Sequence, residues 1–174
     1  MESKAILVPL DASPLAESAL PYAEAVARAT SSRIYLLGVV ERRPTGALLS
    51  PPWLRQFGLD KRLRRQRQRY LGRIARRVQE SGLTVIVRVA TGDPAEAIVA
   101  AGAQDDIAAI VLATHGRGAV QRLLLGSVAD SIARAGIRPT LLVPAPADPA
   151  SDQPVQFRRL FRSTAVRIQK RRSR

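Results

Sequence analysis

Five short apolar runs, separated by segments of helical spacing, organise the chain. Residues 5–10 and 107–113 are unbroken apolar stretches. Neither shows the alternation of a strand with one wet face. Continuous runs of this length suit strands of a parallel sheet covered on both sides. Residues 34–40, 83–90 and 140–143 are the other strand candidates. Between them the spacing turns helical. Asp11 closes the first run, Ser13 and Pro14 read as an N-cap and first helical position, and Ala16, Leu20, Ala23 and Ala27 carry a helix toward Thr30. Pro21 lies inside that pattern and predicts a local bend. Residues 60–81 place Leu63, Tyr70, Leu71, Ile74 and Val78 on one helical face and mostly arginine on the other, with Gly82 as C-cap. Asp93-Pro94-Ala95-Glu96 opens a helix that runs toward Ala103, and Ser127, with Asp130 at capping-box spacing, opens one over 127–135. Residues 41–58 hold Pro44, Gly46, Pro51, Pro52 and Gly58 and predict a long irregular connection.

The resulting order is β-α-β-α-β-α-β-α-β. With right-handed crossovers it predicts an α/β fold, an open five-stranded parallel sheet with helices on both faces. After Pro144 the composition changes to a proline-containing linker and then a basic tail. No internal repeat is present.

Composition narrows the chemistry. Cysteine is absent, which excludes disulfides, thiol catalysis and Cys-based metal sites, and the single His115 excludes multi-histidine centres. No run is long and uncharged enough to span a membrane, and the N-terminus leads straight into a strand without a signal-peptide pattern, so a cytoplasmic protein is expected. The net charge of +14 is concentrated in two blocks, one around residues 55–77 and one in the C-terminal tail, while residues 83–154 carry both signs. That asymmetry points to accessory electrostatic contacts rather than a uniformly basic nucleic-acid-binding domain: the arginine face of helix 60–81 reads most simply as a solvated face, and contact with an anionic surface or nucleic acid, there and through tail 157–174, is the alternative. In the tail, Phe157, Leu160, Phe161, Ala165 and Ile168 fall near helical spacing. A basic amphipathic helix and a disordered solubilising tail both fit that pattern.

Candidate chemistry gathers where two strands end. Open α/β sheets bind ligands beyond the carboxyl ends of strands where the strand order reverses. If the first and fourth strands are neighbours, Asp11 faces the segment from Gly116 to Ser127. A glycine-bounded loop leading into a helix N-terminus offers backbone N–H groups and a positive dipole end to phosphate. A carboxylate suits a ribose hydroxyl or an adenine amine instead. The combination points to a nucleotide, with phosphate at Gly116, Gly126 and Ser127 and nucleoside near Asp11 and Val39. The blander alternatives are turn glycines, and an Asp11 that simply bonds the Ser13 backbone. No Walker-type P-loop occurs, and Gly116-Arg117-Gly118 is followed by Gln121 where a dinucleotide fingerprint needs glycine. His115 has no activating partner and reads as a loop-stabilising residue. Arg117 and Arg122 fit phosphate contact and solvation equally.

These residues resemble the universal stress protein (UspA) family. Its ATP-binding members carry Gly-x2-Gly-x9-Gly-Ser/Thr between the fourth strand and fourth helix. Gly116-x9-Gly126-Ser127 fits that motif, within Thr114-His115-Gly116-Arg117-Gly118 and Leu123-Leu124-Leu125-Gly126-Ser127-Val128. Leu7-Val8-Pro9-Leu10-Asp11-Ala12-Ser13 looks like the family's opening, and Arg138-Pro139-Thr140-Leu141-Leu142-Val143-Pro144 its last strand. The motif's first glycine is Ala113 here, whose methyl suits an extended backbone but not a positive φ, and would crowd a close phosphate. The resemblance implies strand order 3-2-1-4-5, an adenine nucleotide alpha hydrolase-like fold, and a domain over 1–144 followed by a linker and tail over 145–174. It implies ATP or AMP, with Mg, held by Asp11 and Val39 at the nucleoside and by Leu112, Ala113, Gly116, Gly126, Ser127 and Val128 at ribose and phosphates. It also implies a homodimer through residues 140–143. The function expected is a stress-response regulator whose nucleotide-dependent conformation selects an unknown protein partner. Two alternatives stay open. One is slow ATP hydrolysis, for which no water-orienting acid is evident. The other is a ligand-free interaction module using the basic tail.

Overall fold

The computed structural model describes residues 3–41, 52–114 and 126–144, with residues 52–60 described at the level of their backbone helix. Five strands, β1 (Ala5–Pro9), β2 (Arg33–Val40), β3 (Val85–Thr91), β4 (Ile107–Ala113) and β5 (Thr140–Val143), alternate with helices α1 (Pro14–Glu17), α2 (Leu20–Ala29), α3 (Pro52–Glu80), α4 (Pro94–Gly102) and α5 (Ser127–Ala135). All pairings are parallel and the sheet order is β3-β2-β1-β4-β5, as expected from the sequence.

Each face of the sheet carries its own core. On one, Ile6, Val8, Ile34 and Leu36 meet Leu20 and Ala23 of α2 and Leu71, Ile74 and Val78 of α3. On the other, Leu7, Tyr35, Ile107 and Ile110 meet Ile98 of α4 and Ile132 of α5. Adjacent strand residues thus serve opposite cores, which is why β1, β2 and β4 have no polar positions to spare.

The structure corrects several boundaries. The first helix is not one bent rod. It breaks after Glu17, where the Ser18 hydroxyl donates to the Leu15 carbonyl at 2.7 Å, and restarts with Pro21 in the first turn of α2. A proline lacks the N–H that a first turn leaves unpaired, so the chain uses it to begin a helix rather than to kink one. Helix α3 begins at Pro52, eight residues before the expected Asp60, and shortens the connection read as 41–58. Prolines at its start are tolerated for the same reason, and one interior Gly58 costs only about 1 kcal/mol of propensity. Strand β3 lies two residues later at its start than the apolar run suggested. Asp93 caps α4 as expected, its carboxylate accepting from the Glu96 amide at 2.9 Å.

Candidate functional site

Strands β1 and β4 lie side by side at the centre of the sheet, so the strand order reverses between them. Asp11 follows β1 and leads through Ala12, in the left-handed region at φ 69°, to Ser13. Its Oδ1 accepts from the Ser13 amide at 2.8 Å, and Ser13 Oγ in turn accepts from the Ala16 amide at 3.0 Å to cap α1. The turn-bonding role of Asp11 is therefore real. It occupies one carboxylate oxygen, and Oδ2 has no partner among the described residues of this exposed side chain.

Across the crevice, β4 ends at Ala113, opposite Val143 of β5, and the Thr114 amide donates to the Val143 carbonyl at 2.8 Å. Ala113 has ordinary strand backbone, so its methyl carries no conformational strain. Helix α5 corrects the capping expectation. Its N-cap is Gly126, Ser127 is its first helical residue, and no side chain caps it. Asp130 does not reach back to the cap. It accepts from Arg134 Nε at 2.8 Å, one turn further along. Among the described residues, the first turn of α5 therefore has no side-chain cap on its amide groups, whereas α1 and α4 are capped by Ser13 and Asp93.

Two other expected site residues turn their side chains away. Leu112 is buried in the core beneath α4 and α5, and Val128 packs against the same core. Any ligand role for either belongs to its main chain. Val39 is half-buried near the carboxyl end of β2, on the α4 and α5 side. Gly116, with His115, Arg117 and Arg122, lies outside the described residues, as does the tail.

The sequence reading missed a charged cluster beside Asp11. Tyr70 of α3 donates its hydroxyl to Glu17 Oε1 at 3.1 Å, and Arg77 Nη2 reaches Glu17 Oε2 at 3.3 Å. Burial and then the Glu17 carboxylate push the Tyr70 phenol well above its ordinary 10.0, with Asp11 adding to the rise and Arg67 opposing it. Arg67 lies flat on β2. A Cβ on Gly38 would sit 2.6 Å from its Cγ, and its Nη1 is buried without a described acceptor. A glycine in the middle of a buried strand was the available signal, since such a position often marks a close approach.

The phenols set a pH response. Tyr70 and Tyr35 are both raised by burial, so the fold retains protons that the unfolded chain releases near 10.0. Their contribution to stability is complete below about pH 10 and is lost as pH climbs from there toward the folded values. Urea midpoints at about pH 8 and 9.5 should nearly coincide and that at about pH 11 should be lower, and Tyr70→Phe should flatten the final fall. An equally steep fall in that variant would contradict the assignment.

Comparison with known proteins now decides the family. The universal stress protein family profile matches residues 2–144, most of the chain. The chain belongs to the universal stress protein family. Universal stress protein MJ0531 of Methanocaldococcus jannaschii is 27% identical over 144 residues, covering 82% of this chain and 83% of that one. Among solved structures, that of MJ0577 from the same organism overlays with a TM-score of 0.70 at 25% identity, covering 85% of this chain and 100% of that one. A universal stress protein family member from Burkholderia pseudomallei gives 0.62 at 25% identity, covering 82% and 96%. A universal stress protein solved in complex with cAMP shares the fold at a TM-score of 0.56 and 18% identity, covering 84% and 100%. Among the described residues of this universal stress protein, no helix is long and apolar enough to cross a membrane, and no cluster of metal-ligating side chains occurs.

Proposed function

We propose that this universal stress protein is an adenine-nucleotide sensor, binding ATP or AMP with Mg in the crevice between β1 and β4. One observation carries the reading: β1 and β4, which lead into Asp11 and Thr114, pair where the strand order reverses, and the next helix in the chain, α5, starts at Gly126 without a side-chain cap. Phosphates would take the amides of Gly126, Ser127 and Val128, with Ala113 and Leu112 contributing backbone and Gly116 assigned by spacing alone. The ribose or base would take the unpartnered oxygen of Asp11 and the region of Val39. Another protein of this fold has been solved with cAMP, which supports an adenine nucleotide as the ligand class.

In this reading the domain spans 1–144 and acts in the cytoplasm, with 145–174 as linker and basic tail. The nucleotide is then a signal rather than a substrate for rapid turnover. It acts by binding one of two conformations more tightly, which changes the surface a protein partner meets. A second copy pairs through β5, where β4 covers one edge and Leu141 remains 39% exposed. A polyanionic partner meets the arginine face of α3.

Titration calorimetry with ATP and Mg²⁺ tests the sensor. Binding is expected, with Gly126→Val weakening it by about 100-fold through blocked amide approach, and Ser127→Ala by less than about tenfold. Light scattering on the same sample should report twice the chain mass of 18.9 kDa. Silence up to millimolar ATP would remove the sensor reading, and a monomer would remove the β5 pairing.

A further inference from the structure

The arginines of α3 divide into two sets. Arg64, Arg67 and Arg77 turn toward the fold: Arg64 Nη2 reaches the Val89 carbonyl at 3.4 Å, Arg67 lies against Gly38, and Arg77 pairs with Glu17. Arg62, Arg65, Arg69, Arg73 and Arg76 do not. They follow one another at steps of three, four, four and three, so they form a single exposed row along the helix. None has an ion pair among the described residues. Arg73 alone touches an internal group, its guanidinium 5.9 Å from the Tyr70 ring centre. No acid occurs from 61 to 79. Like charges at this spacing oppose the helix that carries them, so the fold gains nothing from the row.

Gly72 sits in the same row, and its presence has no internal explanation. Glycine inside a helix costs about 1 kcal/mol against alanine. At Gly38 and Gly102 close packing accounts for the missing side chain, but a Cβ on Gly72 would meet nothing within 4 Å and its φ is not left-handed. Its effect is to leave a shallow, open notch bounded by Arg69, Arg73 and Arg76. Three guanidiniums around a notch in a charged ridge are suited to a phosphate group, because each can donate two parallel N–H bonds to phosphate oxygens.

We propose that this row is a docking surface for the phosphodiester backbone of double-stranded nucleic acid, with one phosphate seated in the notch at Gly72. The row is straight and about 21 Å long at 1.5 Å per residue. One strand of a duplex presents about six phosphates over that length, against five guanidiniums. The exposed face carries no aromatic side chain among its described residues, since Tyr70 is buried. Among the described residues the row thus offers charge without a stacking platform, which suits a duplex backbone better than a single strand. Nor can the helix sink into a bilayer, because Tyr70, Leu71, Ile74 and Val78 are committed to the core. The surface reads charge and shape, not sequence. It is independent of the crevice between β1 and β4, and the test is run without nucleotide.

The test is fluorescence anisotropy of the full chain with a labelled mixed-sequence duplex across a salt series. Replacing Arg69, Arg73 and Arg76 together with glutamine should weaken binding at low salt by at least about tenfold and reduce the slope of log K against log salt by about 2.7, the share of three phosphate contacts. Gly72→Leu keeps every charge and should weaken binding by about fivefold, while its melting temperature stays level or rises because leucine is the better helix former. A triple variant with the wild-type slope would overturn the proposal, and a Gly72→Leu protein that binds as wild type would remove the notch from it. Vesicles with anionic phospholipid serve as the second arm: binding unaffected by the triple substitution is expected, and a loss as large as that on duplex would refute the nucleic-acid assignment.

Discussion

Ile132→Ala should lower the stability of this protein by about 3–4 kcal/mol, the largest effect expected of any single truncation outside the central strands. Helix α5 holds to the sheet through two buried side chains, Ala129 and Ile132, with Val128 packed beside them. Ile132 is wholly inaccessible and packs in the core formed with Leu7, Ile98, Ile107, Ile110 and Leu112. Truncation deletes three carbons from a site that α4, α5 and the sheet enclose together, so the hole cannot close without moving an element. Denaturation followed by far-UV circular dichroism should show the loss, with a fall in melting temperature of about 10 °C or more. Ile132→Val, which removes one methylene, should cost about 1 kcal/mol. The same anchor sets where the first turn of α5 points. Loosening it should also lower ATP affinity in the surviving folded protein if the amides of that turn hold phosphate. A stability loss below about 1 kcal/mol would show that α5 is held by something other than Ile132.

Gly102→Val is expected to cost about 3 kcal/mol by the opposite route, excess volume. A Cβ at this last residue of α4 would lie 2.6 Å from Ile137 Cδ1 and 3.0 Å from Ile110 Cδ1. Ile110 is fully buried in β4 and cannot retreat. The end of α4 must therefore lift from the sheet. That movement also breaks a polar clasp: Arg138 Nε donates to the Gly102 carbonyl at 3.0 Å, and its Nη2 to the Gln104 carbonyl at 3.0 Å. The first of these bonds gives the Gly102 carbonyl at the helix end a partner, and the second joins the Ile107 amide on the Gln104 carbonyl. Thermal melts of the valine and alanine variants should rank valine lowest, alanine between, wild type highest. The contrast with Gly72, where a larger side chain is expected to be tolerated, makes the comparison a direct measure of surroundings. A valine variant that melts within about 2 °C of wild type would refute the packing argument.

Much of the architecture was legible one segment at a time. The runs at 107–113 and 140–143 became β4 and β5 without adjustment, and the Asp93-Pro94 start of α4 was correct to the residue. These signals are short in range: a strand buried on both faces must be apolar throughout, and a helix start needs an acceptor for its own amides. The errors arose where one local signal had two structural uses. Pro21 marks a bend or a beginning, and packing of Leu20 and Ala23 into the core selected the beginning. Ser127 and Asp130 match a capping box, yet Asp130 had a second partner one turn on in Arg134, and the exposed salt bridge left the helix start free.

The candidate site divides the same way. Asp11, Ala113, Gly126 and Ser127 could be marked on the chain because strand ends and helix starts are visible in residue order. What residue order could not supply is that β1 lies beside β4, two strands separated by about a hundred residues, and that adjacency comes from burial of both sheet faces at once. Arg67 laid against Gly38, Leu112 and Val128 turned into the core, and the clasp of Arg138 on α4 left no trace in local periodicity. Periodicity and capping chemistry act over one turn or one strand, so residue order carries them in full; which element covers which face is a property of the whole packed volume, and no segment contains it.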